Sequence, residues 1–164
     1  MSARTLPSNF RFEKRRADAL VHLTSGETRH GCFFVAGASA HHVGQERIGD
    51  LLNGETGFVP FEVHEATGPR IVLLNRAHIL TVAVADDEAS RDPGYVVAPR
   101  HIVSIRLSTG QHVTGLVRVY RPEGHDRLSD WTREPEVFRY VETGTATLLV
   151  NMAHVVEASE AGEP

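Results

Sequence analysis

Leu23-Thr24-Ser25-Gly26-Glu27-Thr28-Arg29-His30-Gly31 returns later in the chain as Leu107-Ser108-Thr109-Gly110-Gln111-His112-Val113-Thr114-Gly115, with the leucine and both glycines in register 84 residues on. The stretch has the form of a β-hairpin. An alternating run ends at the leucine, a polar tight turn carries a glycine able to take positive φ, and a second run follows. Its return marks an internal duplication, which governs how every other residue is compared.

Two further blocks repeat. Arg47, Asp50, Phe58 and Glu62 fall on Arg127, Asp130, Phe138 and Glu142, 80 residues later. Leu74-Asn75-Arg76-Ala77-His78-Ile79 falls on Val150-Asn151-Met152-Ala153-His154-Val155, 76 later. Each loss of four residues lies between matched blocks, where surface loops absorb changes of length.

Between the anchors the apolar period is two, so each copy reads as five short strands. In the first copy these are 17–23, 28–36, 58–63, 70–74 and 78–84; in the second, 102–107, 112–120, 138–143, 145–150 and 154–158. Apolar residues three apart, Ile48 with Leu51 and Leu128 with Trp131, place one helical turn between the second and third strands. The expected fold is all-β, two tandem SH3-like five-stranded barrels, each with that short helical turn. The expected organisation is a basic arm (1–16), a first barrel (17–84), an acidic Pro/Gly linker (85–99), a second barrel (100–158) and a frayed tail (159–164).

The hairpin glycines (Leu23-x-x-Gly26 with Gly31; Leu107-x-x-Gly110 with Gly115) and the Asn turn before the last strand (Asn75-Arg76; Asn151-Met152) resemble the Sm-like family over about three quarters of the chain. The resemblance implies barrels that pair edge to edge through their fourth and fifth strands, and two loops that contact single-stranded RNA. Placed on this sequence, those loops hold Asp50 and Asn53, then Asn75, Arg76 and His78, with second-copy equivalents Asp130, Asn151 and His154.

Each candidate has an architectural reading beside the functional one. Arg47–Asp50 and Arg127–Asp130 serve base contact, or form i, i+3 ion pairs worth about 0.2 to 0.5 kcal/mol that fix the helical turn. Asn75 is a contact or a turn residue. His78 and His154 stack a base, titrate near neutrality, or are half-buried strand residues with backbone partners. Arg76 is matched by Met152 and Asn53 by Arg133, so a base-and-phosphate site exists in one copy only. Phe34 is matched by Arg118; with Leu20 it forms either an exposed interface patch or one buried face of a bent strand.

Other chemistry finds little support. No P-loop, nucleophile elbow or dinucleotide motif occurs, so no catalytic role and no cofactor are expected. Cys32 is the single cysteine, set in an apolar run as a structural thiol. The pair His41-His42, with His64 and His125 elsewhere, has no Cys or carboxylate at ligand spacing, so no metal site is expected. Arg11-x-x-x-Arg15 has the spacing with which PilZ proteins hold cyclic di-GMP, and although the partner Asp-x-Ser-x-x-Gly is missing, cyclic di-GMP binding through the N-terminal arm is the alternative function this resemblance implies.

A net charge of -4 argues against a broadly basic nucleic-acid surface. No run approaches the roughly 18 apolar residues of a membrane helix, and no signal-peptide pattern opens the chain, so a cytoplasmic protein is expected. The expected function is non-enzymatic binding or assembly, with partners drawn from the chain itself or from RNA.

Overall fold

The computed structural model describes residues 14–37, 44–122, 124 and 127–161. In the first repeat unit β1 (Lys14–Leu23) and β2 (Thr28–Ala36) form the hairpin, α1 (Ile48–Gly54) follows, and β3 (Phe58–Glu65), β4 (Gly68–Asn75) and β5 (Ile79–Val84) complete it. A segment carrying α2 (Asp87–Ser90) leads into the second unit. There the order recurs as β6 (Arg100–Leu107), β7 (His112–Arg118), α3 (Leu128–Thr132), β8 (Phe138–Glu142), β9 (Thr147–Asn151) and β10 (Val155–Glu160). One 3-10 turn, Arg76–His78 or Met152–His154, separates the last two strands of each unit.

All ten strands are antiparallel members of a single sheet, ordered β10-β6-β7-β8-β9-β5-β1-β2-β3-β4. The class is all-β, as the alternation requires. The ladder, however, is one open sheet that passes between the units through β5 and β9, with β4 and β10 left as edges.

Local chemistry explains the hairpins. Gly26 and Gly110 take φ of 92° and 88°, the left-handed values that glycine alone reaches without strain. Gly31 and Gly115 are needed for another reason, because a Cβ would lie 1.8 Å from the Glu62 carbonyl oxygen at Gly31 and 2.6 Å from that of Glu142 at Gly115. There the second strand of each unit presses onto the third.

The Arg-x-x-Asp repeat is a helix start. The N3 carboxylates of Asp50 and Asp130 accept the backbone N–H of Arg47 (2.9 Å) and Arg127 (3.0 Å), satisfying donors that precede the first intrahelical bonds. In the first unit Arg47 also pairs with Asp50 through its side chain at 3.0 Å.

Inward-facing residues of each unit meet in their own cluster, and each cluster borrows across the junction. Val21, Phe33, Phe61 and Val82 pack with Phe138 and Leu149 of the second unit, while Val103, Ile105, Leu107 and Trp131 pack with Leu80 of the first. Fully burying such a side chain contributes about 1.5 to 3 kcal/mol. These exchanges make the units interdependent, as their small size requires.

Two boundaries differ from the sequence reading. Lys14–Arg16 of the basic arm already belong to β1, where Arg16 pairs with Phe34. Ser159 and Glu160 extend β10, paired with Ser104 and Val103, because ladder bonds use the backbone and tolerate outward acidic side chains. Among the described residues no helix is long and apolar enough to cross a membrane.

Candidate functional site

The junction between units is crossed by strand pairing and by side-chain hydrogen bonds. Thr81, Val82, Ala83 and Val84 of β5 pair with Val150, Leu149, Leu148 and Thr147 of β9. Side chains continue the ladder beyond both strands. Asn53 at the end of α1 imitates a β-bridge, its Nδ2 donating to the Phe138 carbonyl (2.9 Å) and its Oδ1 accepting the Phe138 N–H (2.8 Å). Asn151 Nδ2 donates to the Ile79 carbonyl at 2.9 Å. His154 Nε2 meets the Ala77 carbonyl at 2.7 Å, its other nitrogen held by the Ser108 hydroxyl at 3.0 Å.

These are several of the residues the sequence singles out, and the structure gives each a definite place. Asn75 and Asn151 each accept an N–H two residues on, from Ala77 (3.1 Å) and Ala153 (3.0 Å), fixing the 3-10 turns. His78 bonds the Thr24 hydroxyl at 3.3 Å, as His154 does Ser108. Arg76 is buried, its guanidinium donating to the carbonyls of Phe58 (2.8 Å), Leu51 (3.2 Å) and Thr56 (3.4 Å). Asp50 and Asp130 face their own helix starts. Leu20 and Phe34 are half-buried on the outer face of β1 and β2, Leu20 opposite Ala83 of β5, with the Arg16 guanidinium 5.7 Å from the Phe34 ring centre. Arg15 is exposed at the start of β1; Arg11, His41, His42 and His125 lie outside the described residues.

Repeat correspondence carries the junction onto the two open edges. Leu149 is 0% exposed and its counterpart Leu73 63%; Leu80 is 1% and Val156 56%; Phe138 is 3% and Phe58 62%; Thr147 is 4% and Ile71 54%. The exposed members occupy β4, the start of β3 and β10. Thus the two edges present, uncovered, the surfaces whose equivalents the junction buries. Asn75 Nδ2 and His78 Nε2, counterparts of junction donors, meet no such partner among the described residues.

The segment expected to be a linker is a third structural part of the junction. Glu88 of α2 is buried and accepts from the Gly49 N–H of the first unit (3.1 Å) and the Tyr140 hydroxyl of the second (2.9 Å). Burial raises its carboxyl above the ordinary value, against the lowering effect of those two bonds. Arg47 donates to the Glu88 carbonyl (3.2 Å) and to Asp92 (2.5 Å). A cleft of about 540 Å³ opens beside this network, lined among others by Arg118 and Tyr120. Arg118 stacks on Tyr95 at 3.6 Å and donates to its carbonyl at 2.7 Å.

Two sets of residues escape the sequence reading. The exposed edge residues are recognisable only once the pairing of β5 with β9 says which repeat positions are buried. The other set is Cys32 of β2 with Glu62 and His64 of β3, which converge on the outer face of the first unit as a group able to hold a metal ion. Its signal is His30-x-Cys32 and Glu62-x-His64, two i, i+2 pairs on adjacent strands.

No family model, curated protein or solved structure matches the chain. The functional reading therefore stands on geometry.

Proposed function

We propose that the chain is a non-enzymatic assembly protein of two tandem Sm-like five-stranded barrels, which joins to further copies of itself head to tail by β4–β10 strand pairing. The observation that carries this is the matched pattern of burial: four large side chains exposed on the open edges correspond, by repeat position, to four buried at the β5–β9 junction. Transferring that junction's register sets Ile71–Leu74 of one chain against Glu157–Glu160 of the next. Unpaired edge strands with apolar side chains are templates for such pairing. Because the two edges differ, the contact is heterologous, closing into a ring when the rotation per chain divides a full turn. The buried Arg76 guanidinium, spent on backbone carbonyls, favours this reading over RNA contact at that residue.

Light scattering on the purified chain tests the proposal, with masses expected at whole multiples of 18.0 kDa. Leu73→Lys blocks one edge and Val156→Lys the other; each variant alone is expected to be monomeric, and an equimolar mixture to form a dimer through the two remaining edges. A wild-type monomer at every concentration overturns the proposal, as does a mixture that stays monomeric.

A further inference from the structure

On the outer face of the first unit, two adjacent strands bring metal-ligating chemistry together. Cys32 on β2 pairs with Asp18 on one side and with Glu62 on the other. His64, two residues beyond Glu62, projects on the same face because strand side chains alternate. Its ring stands edge-on to that of His30, centroids 5.7 Å apart. Cys32 is fully buried beneath these groups, although it lies on the face opposite the core, while the His64 side chain is 40% exposed.

The distances between donor atoms are close to those a tetrahedral ion imposes. Cys32 Sγ lies 3.8 Å from Glu62 Oε1 and 3.9 Å from His64 Nε2, and the last two atoms are 3.2 Å apart. Bonds of about 2.3 Å to sulfur and 2.0 to 2.1 Å to nitrogen or oxygen, at tetrahedral angles, give edges of roughly 3.3 to 3.6 Å. The two sulfur edges are about 0.2 to 0.3 Å longer than this, and the point about 2.1 Å from all three atoms lies in their plane, so a small inward turn of the Glu62 and His64 side chains brings the donors to tetrahedral spacing. The second carboxylate oxygen, Glu62 Oε2, is held by Arg16 at 3.4 Å, which leaves Oε1 turned toward the cysteine and histidine.

The other unit lacks this group. His30 and Cys32 correspond to Thr114 and Leu116, and Gly144 stands two residues on from Glu142. Glu142 itself is taken by the Tyr95 hydroxyl (2.5 Å) and by Arg118 (3.6 Å). The repeat therefore does not require the cluster.

We propose that Cys32 Sγ, Glu62 Oε1 and His64 Nε2 bind a divalent ion of the zinc class, with a fourth position on the solvent side beside His30. One sulfur, one imidazole and one carboxylate suit a borderline-soft ion in tetrahedral geometry rather than calcium or magnesium. Three protein ligands with one position left over is an arrangement that keeps the ion reachable.

Titration of the full-length chain, stripped with chelator, with Co2+ and then Zn2+ tests the site. Expected are one equivalent bound, a near-ultraviolet thiolate-to-cobalt charge-transfer band with visible bands of tetrahedral strength, and their bleaching by Zn2+. Cys32→Ser is expected to remove the charge-transfer band and His64→Ala to remove stoichiometric binding; His64 is half exposed, so that variant retains the fold by circular dichroism. Arg16→Ala, which frees Oε2, is expected to weaken binding by on the order of tenfold. His41→Ala/His42→Ala is expected to change nothing. Cobalt binding without a charge-transfer band, binding unaffected by His64→Ala, or binding lost with His41 and His42 overturns the proposal.

Discussion

The junction at β5–β9 and the open edges at β4 and β10 are built from the same repeat positions, yet one is sealed and the other bare. At the junction Leu149, Leu80 and Phe138 cross into the neighbouring unit's core; at the edges Leu73, Val156 and Phe58 face outward. A duplication that had settled into monomeric life would be expected to replace apolar residues on the edges left over with charges or proline. Such marks are present at Pro69 and Arg70 of β4 and at Glu157 and Glu160 of β10, yet Ile71, Leu73 and Val156 remain apolar and exposed. The difference teaches that the edges expose the repeat equivalents of side chains the junction buries.

The largest break in that comparison is at its central leucine. Leu149→Ala removes a side chain buried in the first unit's core and is expected to cost about 2 to 5 kcal/mol in urea denaturation. The corresponding Leu73→Ala leaves a monomer's unfolding free energy within about 0.5 kcal/mol, while shifting the association equilibrium seen by light scattering. Equal destabilisation by the two substitutions would show that Leu73 is buried within the monomer in solution.

The glycines at the β2–β3 and β7–β8 crossings sharpen the same contrast. A Cβ at Gly31 meets the Glu62 carbonyl oxygen at 1.8 Å, a separation that backbone must move to relieve, whereas at Gly115 the same contact is 2.6 Å. Gly31→Ala is expected to cost about 3 kcal/mol and Gly115→Ala about 1 kcal/mol by thermal unfolding, at the two ends of the overpacking range.

The fold was largely legible in the sequence because its period-two runs and turn glycines act locally. Both hairpins and all ten strands lie where alternation places them, and the differences are confined to ends such as Lys14–Arg16 and Ser159–Glu160. What alternation does not encode is which edge meets which. β5–β9 pairing joins residues far apart in sequence; Pro69 and Arg70 in β4 and Glu157 and Glu160 in β10 set those strands apart, but nothing in the alternation says that β5 and β9 meet. The site was less legible for a related reason. Asp86-Asp87-Glu88 reads as a solvated acidic run, yet Glu88 is buried because two donors from different units, Gly49 and Tyr140, converge on it. Arg76 against Met152 reads as a functional difference between copies, yet the structure supplies an architectural counterpart. In the second unit Arg139, at the repeat position of Val59, donates to the carbonyls of Trp131, Glu134 and Glu136. Trp131 and Glu136 are the repeat equivalents of Leu51 and Thr56, whose carbonyls Arg76 serves. One structural need, satisfying carbonyls past the short helix, is met from the 3-10 turn before β5 in the first unit and from β8 in the second.

That exchange is itself testable. Arg76→Met leaves carbonyls at the end of α1 without their donor and is expected to cost about 1 to 3 kcal/mol. Val59→Arg added to it copies the second unit's solution, and partial recovery in chemical denaturation is the expected result. No recovery would mean that the arginine's origin, and not only its hydrogen bonds, matters to the first unit.

The smallest effect concerns Glu88 and is read as a dependence on pH. Its carboxyl is raised above the ordinary value of 4.5 by burial, so over the window between that and its folded value the native state holds a proton that the unfolded state has released. Stability contributed by Glu88 is then complete below the ordinary carboxylate range and declines as pH rises through that window, by at most about 1.4 kcal/mol per pH unit. Glu62 and Glu65, paired with Arg16 and Arg70, are shifted the other way, so the slope is isolated by comparison with Glu88→Gln. The amide oxygen can still accept from the Gly49 N–H and the Tyr140 hydroxyl, and the variant cannot ionise. Unfolding free energies of the two proteins are expected to run together at acid pH and to diverge above it, the glutamine variant becoming the more stable. Parallel curves would place the Glu88 carboxylate in contact with water and remove it from the seal between the two units.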